Sequence, residues 1–505
     1  MAFLPELILA GGALVLFFLT LKDGWGCNAR RAAIVTALAT LAACALTTTE
    51  QAVLFSGAYR VDAFSQWLKL VFALGFLLVM VLSGDLPDIR PDVKPEYYLF
   101  LTLSITGLTM LVSSIELITL VISLELSSFP LYVMVAMRRE REGHRVQMES
   151  AIKYIVFGMT ATGIMLFGMS YLFGLTGTMS LPEMAVRLKP VMQSPVAIAG
   201  LAMMLAGLLY KLAVFPFHFW TPDVYQGASN ETTSLIASLP KLGAVAVLVR
   251  FVSLATPEPL AASQPQAIAL LLACLAVASM FYGNLIALQQ SDLKRLLGFS
   301  GIAHAGYALI GFVALNEAGY TAALYYLVSY LFMVLACFVV ICRVSPDGVN
   351  VGMEDLAGLH RRSPLLAVTL VVGIFALAGI PPFPGFVGKF ALLKAAFEKG
   401  YVALVILAVI NSAIAVYYYL CVVREAVFRD PGEKAFIATN WTTRTLCVGL
   451  MAAILILGVA PGRVLDRVSA SLATVTGNPP AKSAAAVSDN ANALVSIITP
   501  TADRR

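Results

Sequence analysis

Apolar stretches as long as a bilayer core is thick, roughly 17–25 residues each, recur along nearly the whole chain, and about fourteen can be counted by that criterion. Their approximate centres are Val15, Ala39, Leu74, Ile105, Leu126, Leu166, Met204, Ala244, Cys274, Leu309, Val334, Val372, Ala408 and Ala452. Hydrocarbon offers backbone groups no hydrogen bonds, so spanning segments must be helices or strands of a closed barrel. Continuous apolar runs of this length are helices. The expected class is therefore an all-α polytopic membrane protein. Composition agrees, with 59% hydrophobic and only 12% charged residues, about half the charged share of a soluble domain.

The formal charge of +5 does not point to a nucleic-acid partner, because the basic residues concentrate in short connections between spans. Alternate connections carry Lys22, Arg30 and Arg31; Arg90 and Lys94; Arg138, Arg139, Arg141 and Arg145; Lys294 and Arg295; Arg343, Arg361 and Arg362; and Arg424, Arg429 and Lys434. The intervening loops are poorer, holding Arg60, Arg187, Lys189, Arg250 and Lys399. The positive-inside rule then puts the basic set in the cytoplasm. An even span count leaves both termini periplasmic if the membrane is a bacterial inner one. MAFLPELILAGG lacks a basic leader and reads as a retained first span. The Ala-, Ser-, Pro- and Asn-rich tail from Gly477 is expected to be disordered. The seven cysteines show no CxxC spacing, which argues for packing rather than disulfides, zinc or clusters.

Several titratable residues interrupt the apolar runs. Lys211 lies in LAGLLYKLAVFPF, just before Pro216, and Lys389 follows Pro381-Pro382 in LAGIPPFPGFVGKFALL. Helix breaks at membrane depth persist only where protein or a water-filled cavity surrounds them. An ammonium there is costly and marks an ion path by default. Glu125 in LVISLELSSFP and Lys241 in SLPKLGAVAV extend the series. An ionised Glu125 near Lys211 would hold the lysine charged, and separating them would favour release of its proton. The competing reading is a static buried pair that only fixes helix register. LAVFPF and LAGIPPF lead out of apolar helices about 165 residues apart. Interrupted segments at matching places in two halves suggest a repeat-built transporter.

LELSSFPLYVMVA, KLAVFPFHFWTPDVYQGAS, ASLPKLGAVAVLVR, SDLKRLLGFSGIAHAGYALIG and GIPPFPGFVGKF together resemble the antiporter-like membrane subunits of respiratory complex I. The likeness is nearest to subunit N and covers about Tyr98 to Arg424. It implies two inverted repeats of five helices with broken members. They would occupy residues 93–260 and 261–430, after a three-helix segment (1–92) and before a C-terminal helix (431–476) and the tail (477–505). It also implies that Glu125, Lys211, Lys241 and Lys389 form a proton relay driven by quinone reduction in partner subunits. This chain would carry no cofactor of its own; NADH, flavin, iron–sulfur clusters and quinone would belong to other membrane and peripheral subunits. One departure is Ser229-Asn230-Glu231, where relatives usually have proline. Glu231 reads there as a helix-start cap with little effect on transport.

Other residues carry weaker signals. His304, inside a span, is a candidate bridge between the repeats. Glu116 and Lys153 read as interfacial, His218 as a loop-fixing residue, Asp292 as a cap and Lys294 as an inner-face anchor. Tyr325, Tyr326 and Tyr330 offer hydroxyls, although aromatic packing is their default. His144 and His360 fall in loops without a role. A haem enzyme is disfavoured, because the four histidines are scattered and supply no axial pair. No Gly-rich loop follows a strand, so a nucleotide site is not expected either. A multisubunit cation/proton antiporter or membrane hydrogenase remains open, since related subunits share these lysine and glutamate positions.

Overall fold

The computed structural model describes residues 1–21, 26–140, 145–255 and 265–476. His144, the expected repeat boundary at residue 260 and the tail from Gly477 lie outside the described residues. The order is α1 (Leu4–Thr20), α2 (Gly26–Leu46), a hairpin of β1 (Ala52–Leu54) and β2 (Tyr59–Val61), α3 (Ala63–Ser83), α4 (Lys94–Leu111), α5 (Leu117–Ala136) and α6 (Val146–Thr176). Next come α7 (Leu181–Leu188), α8 (Pro195–Leu212), α9 (Trp220–Gly227), α10 (Asn230–Ala255), α11 (Pro265–Ala287), α12 (Leu293–Val313) and α13 (Glu317–Val344). The chain continues through α14 (Leu359–Arg362), α15 (Pro364–Ala378), α16 (Pro384–Glu398), α17 (Val402–Phe428), α18 (Trp441–Val459) and α19 (Gly462–Thr476).

Among the described residues, eleven helices are long and apolar enough to cross a membrane, and α1 and α15 are shorter apolar helices. Every centre read from the sequence falls inside a helix. The Pro381-Pro382 segment does divide into two half-helices, α15 and α16. The C-terminal region expected as one helix is two, α18 and α19, because Pro461 cannot donate the backbone bond that would continue the first.

Capping fixes where several spans begin. Asp62 accepts from the Ser65 amide at 2.8 Å while Ser65 Oγ accepts from the Asp62 amide at 2.9 Å, a reciprocal capping box for α3. Asn316 caps α13 and Asn440 caps α18 through the amides of Gly319 and Thr443. The spans are not equally enclosed. The apolar window of α12 is 100% buried, those of α10 and α13 are 94% and 89% buried, and that of α17 is only 33% buried. The chain is thus an inner set of wrapped helices within a ring whose outward faces are apolar, including Ile152, Val156 and Phe167 on α6. Such faces suit lipid rather than water.

Candidate functional site

Both broken segments end their first half in a left-handed residue. Ala213 (φ 63°) follows α8 and Gly379 (φ 84°) follows α15. Reversing the backbone there satisfies the last carbonyls without another turn of helix. Lys211 stands in the last turn before its break, whereas Lys389 stands in the second half-helix after its break.

Lys211 donates to Ser128 Oγ of α5, with the Tyr132 hydroxyl 3.5 Å from its Nζ. Glu125, one turn before Ser128, instead accepts from Thr162 Oγ1 of α6 at 2.6 Å. Glu125 thus lies near Lys211, as expected, while each is hydrogen-bonded to a different partner. Ser128, one turn along α5 from Glu125, takes the lysine, and α6 supplies the glutamate with its own donor. A cavity of about 20 Å³ beside Lys211 is walled by Ser127, Ser128, Trp220 and Pro240, enough for about one water molecule.

Lys241, next to Pro240 inside α10, is 2% exposed. Its Nζ donates to Gly301 O of α12 at 3.0 Å and lies 5.4 Å from the Tyr330 ring centroid. His304, one turn beyond Gly301, packs its ring 5.0 Å from that of Tyr330. Its Nδ1 bonds the Tyr326 hydroxyl at 2.5 Å and its Nε2 the Tyr419 hydroxyl at 3.0 Å. Lys389 lies beyond, donating to Ala378 O at 3.0 Å, Leu377 O at 3.4 Å and Ser412 Oγ at 3.2 Å. Its Nζ sits 4.7 Å from the Tyr307 ring, and the rings of Tyr307 and His304 are 6.4 Å apart. The two carbonyls are the C-terminal end of α15, where the helix dipole favours a cation. Lys241, His304 and Lys389 are thus brought into one polar line across α10, α12 and α16, with tyrosines between them. Glu125 and Lys211 lie apart from it on α5 and α8, and the small cavity beside Lys211 reaches Pro240 of α10.

Residues 114–415 match the family model described as NADH:quinone oxidoreductase/Mrp antiporter, TM. NADH-quinone oxidoreductase subunit N 2 of Opitutus terrae is 63% identical over 476 residues, which cover 94% of this chain and 98% of that relative. The chain belongs to the subunit N family of NADH-quinone oxidoreductases. A chain of respiratory complex I from Thermus thermophilus, solved with bound aureothin, is similar at 32% identity and a TM-score of 0.78, covering 91% of this chain and 98% of that one. A chain of the Mrp complex from Dietzia has the same fold, at 20% identity and a TM-score of 0.82 over 94% of this chain and 97% of its own.

Within this subunit N family member, the remaining candidates divide by environment. Asp292 caps α12 as expected, accepting from the Arg295 amide at 3.0 Å. Glu116 precedes α5 and accepts from Thr119 Oγ1 at 2.6 Å. Lys153 pairs with Glu149 at 2.7 Å and Asp223 at 2.8 Å, half in solvent, as an anchor would. His218 packs 4.1 Å from the Tyr282 ring in the turn between α8 and α9. Tyr325 donates to Leu457 O at 2.6 Å, away from the lysines, and His360 faces Ala426 O.

Three readings need correction. Lys294 is no exposed anchor: it is 0% exposed, and its Nζ donates to Ala228 O at 2.8 Å. Glu231 is in the first turn of α10, as a cap would be, but is buried against the interior. Arg250 lies inside α10 rather than in a loop, paired with Asp62 at 2.9 Å. The sequence also missed Lys69 and Glu6, which form a 2.7 Å ion pair at 0% and 2% side-chain exposure, with the Tyr59 hydroxyl donating to Glu6 at 2.8 Å. The available signal was the same one that found Lys211, a charge inside an apolar window.

Proposed function

We propose that this chain is a non-redox membrane subunit of a proton-translocating NADH:quinone oxidoreductase. Protons move through Glu125, Lys211, Lys241, His304 and Lys389, and quinone reduction in partner subunits drives them by conformational coupling. The observation that carries this reading is the line from Lys241 through Tyr330, His304 and Tyr307 to Lys389, whose successive ring and ammonium separations run from 4.7 to 6.4 Å. A lysine amine gains and loses a proton without redox chemistry. A tyrosine-bound imidazole accepts at one nitrogen and donates at the other. Moving one charge across the membrane costs about 2.3 kcal/mol per 100 mV. The redox partner must therefore bias two arrangements of these helices, and Lys211 offers a natural switch between Ser128 and Glu125.

On this reading the chain sits in a bacterial inner membrane with the basic connections in the cytoplasm and both termini in the periplasm. Flavin, iron–sulfur clusters and the quinone site belong to its companions. The repeats occupy residues 93–260 and 261–430. The test is to tag the chain, extract it in mild detergent and identify what purifies with it. Flavin- and cluster-bearing companions support the reading. A set of small membrane subunits alone replaces it with a cation/proton antiporter using the same residues.

A further inference from the structure

Glu231 is 2% exposed, and its Oε2 has no hydrogen-bond partner among the described residues. It lines a cavity of about 620 Å³ whose wall also includes Ser83, Asp85, Arg343, Arg362 and Phe436. The outer part of that wall reaches solvent, since the Asp85 side chain is 94% exposed and Phe436 is 72% exposed. The inner end is the floor at Glu231. This cavity opens among the arginine- and lysine-rich connections.

Further buried polar atoms are unpaired beside Glu231 and around Lys241. Both amide atoms of Asn230, Thr221 Oγ1 and the hydroxyls of Tyr225 and Tyr330 lack partners among the described residues. Tyr225 and Tyr330 flank Lys241, whose Nζ lies 6.0 Å and 5.4 Å from their rings. Buried polar atoms that protein leaves unpaired are met by water. Water meeting these atoms would connect the cavity with Lys241.

Resting on the relay reading above, we propose that Glu231 is a proton-accepting gate at the mouth of that route. Its Oε2 takes a proton from hydronium in the cavity, leaving water and a neutral carboxyl. It then yields the same proton to water on the Lys241 side and returns to carboxylate; no electrons move. The surrounding charges oppose one another. Asp88 and Lys294 face Glu231 with opposite charges. Lys94 of α4 and Arg343 on the cavity wall add to the cationic side, while Arg138 partly neutralises Asp88 in a 2.6 Å pair. Tyr97, Tyr98 and Cys342 are further titratable neighbours, and Asp85 and Arg362 share the cavity wall.

The experiment is Glu231→Gln in the assembled complex, with initial proton uptake by inverted vesicles measured against external pH. Uptake near wild type at acid pH and about a hundredfold slower at alkaline pH, the lower end of what a positioned proton acceptor contributes, is the expected result. Unchanged uptake, or slowing equal at every pH, overturns the gate. Lys211→Ala and Lys241→Ala are run in parallel. If both pump normally, the relay reading itself fails; if both are dead and Glu231→Gln matches wild type, the gate alone fails. Should glutamine prevent assembly, Ser83→Cys on the cavity wall is treated with a membrane-impermeant thiol reagent, beside the parent complex. Blocked uptake supports the gate. No labelling, or full labelling with undiminished uptake, removes it.

Discussion

Replacing Lys389 with arginine separates a lysine that releases a proton from one that only holds a helix break together. Its Nζ reaches Ala378 O at 3.0 Å, Leu377 O at 3.4 Å and Ser412 Oγ at 3.2 Å. Arginine keeps the charge and the donors, so the carbonyls at the end of α15 remain satisfied and the complex should assemble. It does not, however, become neutral at working pH. The ordinary arginine and lysine pKa values differ by about two units or more. In a shared environment, the deprotonated fraction, and with it the release rate, falls by at least about a hundredfold. Lys389→Met fails in a different way. It loses the donors as well, leaving two carbonyls unmet at about 1–3 kcal/mol each, so thermal stability falls together with pumping. The assay is proton translocation per quinone reduced in reconstituted vesicles, paired with a thermal-shift measurement on the same preparation. Wild-type pumping by Lys389→Arg would refute the reasoning, because Lys389 would then never need to be neutral.

Glu125→Ala and Lys211→Ala should each abolish pumping while leaving assembly largely intact; normal pumping in vesicles by either one defeats the relay. His304→Phe removes both tyrosine bonds and should cut pumping by about a hundredfold or more, the scale of a lost proton-transfer group; an unchanged rate would make His304 a packing residue. Lys69→Met should destabilise the complex by about 3–5 kcal/mol, because Glu6 is left as an unpaired buried charge, and Glu6→Gln with Lys69→Met should recover most of the loss. Equal denaturation of single and double variants would refute that account. Finally, a cysteine replacing Arg139 should be labelled only from the cytoplasmic face, and labelling from outside would invert the proposed topology.

Much of this was legible in the sequence because bilayer thickness leaves a direct imprint on it. Each long apolar run became a helix, and Pro381-Pro382 marked a break that lies where it was expected. His304 could be proposed as a bridge because an imidazole inside a span can exchange a proton, with a hydrogen-bonded packing histidine as the equal alternative. The failures share one cause, namely partners contributed by residues far along the chain. Glu6 and Lys69 meet only when α1 and α3 pack. Lys294 looked like an anchor because it follows a helix start, but α9 and the turn after it close over its side chain. Nothing local shows whether Arg250 ends a span or lies inside one. Glu125 and Lys211 are near one another as expected, but that their hydrogen bonds go to Thr162 and Ser128 depends on packing between helices, which sequence spacing does not resolve.

The complete enclosure of α12 has a consequence for what can influence this subunit. Its neighbours are other helices of the same chain, chiefly α9, α11, α13 and α16, and its whole apolar window lies away from the periphery. His304, together with the carbonyl that holds Lys241, is therefore mechanically insulated. Lipid tails, bilayer thickness and adjoining subunits press on the outer ring, and they reach α12 only by shifting a helix already packed against it. Adaptation to a different membrane can proceed through the outward faces of α2, α6 and α17 without redrawing the polar line. A substitution that alters the packing around α12 has no such freedom.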